Sequence, residues 1–187
     1  MFERGYKAWC ERYSVEKRKA LGLAPNARLD TRALAAHLGV RVWTPEDVPG
    51  LSRDAIAVLL RNDGATPSDW SAVTLVAGAT VVVILNSSHS SARQASDLTH
   101  ELAHRIRGHD AKEVSVSEDG LMLLSSYEKA QEEEADWLSG SLLLPREALA
   151  SIKRRRLDTA KACMEYGISA RMLQYRMSMT GVNRQYA

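Results

Sequence analysis

Thr99-His100-Glu101-Leu102-Ala103-His104-Arg105 is the stretch on which the reading of this 187-residue chain turns. It lies in a run from about Ala92 to Arg107 in which apolar Leu98, Leu102 and Ile106 return at helical spacing, and Gly108 supplies a natural stop. A helix is therefore predicted, with its apolar side turned inward. Residues four apart on a helix stand one above the other, so the imidazoles of His100 and His104 converge on a single ion. Glu101, one position on, reaches round toward the open side of that ion, where a general base is needed.

A catalytic zinc takes three protein ligands and keeps a fourth position open. His109 follows His104 by five residues, beyond the helix stop; it could curl back to the ion as a third ligand, but a loop residue or a support for the ligands is the expectation. The better source of a third ligand is Glu132-Glu133-Glu134, in a long helical pattern from Ser126 to Leu144 that ends at Pro145. Successive helical residues point about 100° apart, so only one of the three glutamates can face the metal. Glu132 shares a face with Asp136, which lets Glu132 bind the ion while Asp136 accepts the free N–H of a ligating histidine. The donor set His100, His104 and Glu132 suits Zn2+. Mn2+ is the alternative, because affinity order alone does not fix occupancy.

The segment His100 to His104, followed by Glu132-x-x-Ala135-Asp136 and then Leu142-Leu143-Leu144-Pro145, resembles the ImmA/IrrE family of metallo-endopeptidases. In that family an H-E-x-x-H helix precedes an E-x-x-A-[N/D] helix ending in L-L-x-P. The resemblance spans roughly Ser71 to Pro145, including a strand that ends in Asn86. Trp137-Leu138-Ser139-Gly140 departs from the family's usual small or aromatic pattern, which bears on substrate choice more than on metal binding. The resemblance implies an α+β, zincin-like domain with a small sheet, an H-E-x-x-H helix, a second ligand helix and further C-terminal helices. It implies a gluzincin-type site with His100, His104 and Glu132 as ligands and Glu101 as base. It also implies a partner: a helix-turn-helix, DNA-binding repressor, cut to release stress, phage-defence or mobile-element genes.

Beyond these helices the chain reads as a helix from Phe2 to Leu21, a second from Thr31 to Leu38 capped by Asp30, and a strand from Val40 to Trp43. A third helix is expected over Ser52 to Arg61, with Ile56, Leu59 and Leu60 on one side. Ser71 to Val76 and Thr80 to Leu85 form adjacent strands. Arg146 to Gly181 holds two or three more helices. The expected organisation is a metallopeptidase domain over residues 1–145 and a helical extension over 146–187.

Lys plus Arg number 25 against 23 Asp plus Glu, so the molecule as a whole is no electrostatic glove for nucleic acid or an anionic membrane. Cys10 and Cys163 belong to no C-x-x-C pair, which argues against a disulfide scaffold and fits a reducing cytoplasm. No apolar signal segment or membrane span is read, so no membrane partner is expected. Cys163, Trp43, Trp70 and Trp137 are assigned to the core and Cys10 to a partly buried face.

Lys153-Arg154-Arg155-Arg156, with Arg171, Arg176 and Arg184, is either a solvated helix end or a contact surface for DNA, as an activator, or for an acidic partner. Thr159 to Met177 has helix-turn-helix spacing about Gly167, or forms a plain helical hairpin. Tyr127, His109 and His89 are the candidates for stabilising an oxyanion. The competing function is a DNA-binding or toxin–antitoxin regulator that keeps the metal for structure.

Overall fold

The structure, a computed structural model, describes residues 2–61, 70–109, 115–116, 122–123 and 128–185. The first part of the chain runs α1 (Tyr6–Ala20), α2 (Thr31–His37), β1 (Val40–Trp43), α3 (Arg53–Leu59), β2 (Ala72–Ala77), β3 (Thr80–Leu85) and α4 (Ser91–Arg107). Two short strands, β4 (Ser115–Val116) and β5 (Met122–Leu123), then pair antiparallel. The remainder is helical: α5 (Lys129–Leu143), α6 (Arg146–Arg154), α7 (Thr159–Tyr166), α8 (Ala170–Thr180) and α9 (Val182–Gln185).

β3 is the middle strand of a three-stranded sheet, parallel to β1 and antiparallel to β2, with Val40 opposite Val81 and Thr74 opposite Val83. Its near-continuous apolar run, Val81, Val82, Val83 and Leu85, is buried: β1 and β2 cover both edges, and Val81, Val83 and Leu85 join the main apolar core. α4 lies against this sheet on one side and against α5 on the other. Leu98, Leu102 and Ala103 of α4 pack with Ala135, Leu138 and Leu142 of α5, with β3, and with Tyr6 and Cys10 of α1. The fold is α+β, as the resemblance implies.

A second apolar cluster begins one residue after Leu142, at Leu143, and gathers Leu149, Ile152, Tyr166, Ile168, Leu173 and Val182. α5 therefore contributes to both cores. Its last carbonyls lack helical partners, and two arginines with no solvent exposure supply them. Arg18 donates Nη2–H to the Leu142 carbonyl at 2.8 Å, and Arg176 donates Nε–H to that of Leu144 at 3.0 Å. Burial pulls the Arg18 guanidinium down to about 10. The backbone at Gly140 makes room for this clamp: a methyl group there would come within 2.9 Å of Arg176 Cδ.

Several expectations change. Arg176, grouped with the basic residues read either as a solvated helix end or as a contact surface, is fully buried against Leu144 and Glu11. The cysteines exchange places: Cys10 is fully buried on the inner face of α1, whereas Cys163 is half-buried. Trp137 is core, but Trp43 and Trp70 are only half-buried. α3 buries no residue completely, and Val58 and Leu59 stand exposed. Among the described residues no helix is long and apolar enough to cross a membrane.

Candidate metal centre

α4 and α5 pack side by side, and that packing brings together the sequence-distant residues predicted as ligands. His104 Nε2 lies 3.0 Å from His100 Nε2, His100 Nε2 lies 3.1 Å from Glu132 Oε2, and His104 Nε2 lies 3.8 Å from that same oxygen. Zinc binds such donors at about 2.0–2.1 Å in a tetrahedron, which sets neighbouring donors about 3.3 Å apart. The observed triangle averages that edge, so the two imidazoles and one carboxylate fit a single ion of this type.

Asp136 Oδ1 sits 3.1 Å from His100 Nδ1. The carboxylate accepts the ring N–H there and leaves the Nε2 lone pair directed into the triangle. Burial would depress the His100 imidazole, but the carboxylates of Asp136, Glu132 and Glu101 outweigh it and hold the group above its ordinary value. His104 goes the other way. Burial, then the neighbouring rings of His100 and His109, bring it down to about 3 and keep it in the neutral form that ligates.

Glu101 lies on the same helix and accepts a hydrogen bond from the Thr74 hydroxyl on β2. Burial raises its carboxyl above the usual range, against the opposing pull of the Thr74 bond and His100. Thr74 did not emerge from the sequence, because nothing local marks one threonine in a β-branched strand as the partner of a helix 27 residues on.

The three glutamates separate as their helical angles require. Glu133 is exposed, and Glu134 turns to Arg107 Nε at 2.8 Å and His109 Nε2 at 3.3 Å. Despite partial burial, those two partners hold the Glu134 carboxyl below its ordinary value. His89 is buried at the start of α4, its Nδ1 3.6 Å from Asp97. Tyr127 lies outside the described residues. Beside the His100–Asp136 pair, a cleft of about 770 Å³ opens between α4, α5 and α8, with Asp97, Arg171 and Tyr175 in its walls.

The basic cluster stands apart from this constellation, at the end of α6. Arg155 forms a two-pronged ion pair with Glu165, at 2.5 and 2.9 Å. Lys153 is half-buried, Arg154 and Arg156 are exposed, and Arg156 carries the left-handed φ of 52° that reverses the chain.

No curated protein matches the chain. By structure it is similar to a Mycobacterium tuberculosis transcriptional regulator, with a TM-score of 0.53 and 16% identity over 95% of this chain and 47% of that one. The chain thus spans about half the length of that regulator, and the likeness is one of fold. Residues 56–178, from α3 through most of α8, match Peptidase_M78, the IrrE N-terminal-like domain. Extending over well more than half of the chain and enclosing both α4 and α5, that match places the protein in the Peptidase_M78 family of metallopeptidases.

Proposed function

We propose that the chain is an intracellular, zinc-dependent endopeptidase that cleaves a DNA-binding repressor of the helix-turn-helix class and so derepresses stress, defence or mobile-element genes. The observation that carries the reading is the triangle of His100, His104 and Glu132 with Glu101 beside it. Zinc held there would polarise the scissile carbonyl and lower the pKa of a water to roughly 7. Glu101, steadied by the Thr74 hydroxyl, takes the proton of the attacking water and passes it to the leaving amine. Asp136 keeps His100 in the tautomer that offers Nε2.

In this reading residues 1–145 form the catalytic unit and 146–187 a helical extension on it. The change of core between Leu142 and Leu143 supports that division. The repressor as substrate rests on family resemblance.

A second reading is a DNA-binding regulator with a structural metal. It draws on the fold shared with a transcriptional regulator and on the α7–α8 pair, which turns at Gly167 and presents Arg171 to solvent. One experiment separates the two. Wild type and Glu101→Gln are purified, their zinc is quantified, and each is incubated with the helix-turn-helix protein encoded by a neighbouring gene. The peptidase reading predicts equal zinc and cleavage slowed by about 10²–10⁴-fold in the variant. Equal zinc, no cleavage by either, and tight sequence-specific DNA binding would replace it with the regulator.

A further inference from the structure

We propose that His109 is a positioning residue of the metal centre, which fixes the tautomer of His104 from behind. The inference rests on the ligand assignment above. The Nδ1 atoms of His104 and His109 face each other at 2.9 Å, and the far nitrogen of His109, Nε2, lies 3.3 Å from Glu134 Oε2. All three side chains are largely withdrawn from water, with 3%, 7% and 17% exposure for His104, His109 and Glu134.

The proton order along this chain follows from what each group can do. A carboxylate only accepts, so Glu134 requires an N–H at Nε2 of His109. As a ligand, His104 offers its lone pair at Nε2, so its proton sits on Nδ1 and the facing His109 Nδ1 is the acceptor. Two ring nitrogens at 2.9 Å need one donor and one acceptor, and this order, with His104 donating, satisfies both ends of the chain. That leaves the His104 lone pair on Nε2, the atom that faces His100 and Glu132. With the chain reversed, an N–H would point into the donor triangle. His109 is thus no fourth ligand, since it meets the opposite edge of the His104 ring.

Glu134 is itself anchored. Arg107 holds it at 2.8 Å, and the Arg107 guanidinium lies over the rings of Tyr6 and Trp9, at 4.9 and 5.4 Å from their centres. The turn after α4 delivers His109 to its place. Gly108 adopts a left-handed φ of 65°, and the His109 N–H bonds back to the His104 carbonyl at 3.0 Å.

The test is zinc affinity, read on the full chain by competition with a chromogenic chelator. Folding is checked by circular dichroism. His109→Leu, which keeps bulk but cannot accept, should weaken zinc binding about 10–100-fold. His109→Asn places its amide oxygen near the former Nδ1 and should recover most of that loss. Its cobalt-loaded form should keep the wild-type visible absorption, whereas the leucine variant's should shift. If His109→Leu does not fold, Glu134→Leu interrupts the chain at its other end and should also weaken zinc binding. Wild-type affinity in a folded His109→Leu, or in Glu134→Leu when that variant is needed, overturns the proposal. Glu132→Ala distinguishes the levels. If it loses zinc while His109→Leu does not, only the role of His109 falls; if it keeps zinc, the ligand assignment falls too.

Discussion

The two histidines of one five-residue motif are held in opposite ways. The His100 side chain is 25% exposed, and its supporting carboxylate, Asp136, is 67% exposed and one helix away. The His104 side chain is 3% exposed and is backed by His109, at 7%, and then by Glu134, which Arg107 anchors nearer the surface. Exposure explains the difference. On the open side water can meet any ring N–H, so a single carboxylate in register suffices. On the closed side every N–H must find a protein partner or cost the unmet hydrogen bond, and one partner creates the need for the next.

Removing the turn that builds the buried side should have the larger effect. Gly108→Val forces a β-branched residue to a φ of 65°, at a cost of about 1–2 kcal/mol, and displaces His109 as well. The melting temperature should fall and zinc affinity with it. Unchanged zinc affinity in the folded variant would show that the turn and the ligand are uncoupled. Asp136→Ala should matter less. Water reaches His100 Nδ1 once the carboxylate is gone, so zinc binding should weaken toward the low end of the about 10–100-fold range for supporting residues. A loss from Asp136→Ala exceeding that from His109→Leu would reverse the comparison.

What could be read in advance divides along the same line. His100, His104, Glu132 and Asp136 came from spacing within two helices, because helical geometry fixes which residues share a face. Asp30, Gly39 and Gly108 marked helix ends by the same local logic, and the structure places each at one. Arg18 and Arg176 could not be found that way. Both look like solvated helix charges until α1 and α8 fold onto the end of α5, where the free carbonyls need donors. The cysteines show the same limit: each has the same packing preference, and only the tertiary arrangement decides that Cys10 is sealed and Cys163 is not. His109 had a partial signal, the glycine that ends α4 and turns the chain back. Its partner Glu134 was hidden among three consecutive glutamates, whose angles allow only one to face an ion and do not tell what the others meet.

The most direct test of the account is zinc content after exhaustive dialysis of three proteins: wild type, Glu101→Gln and Glu132→Ala. Zinc retained one to one by the first two and lost by the third is the predicted result, since Glu101 stands beside the donor triangle and Glu132 is a corner of it. Zinc retained by Glu132→Ala, or lost from Glu101→Gln, would contradict it.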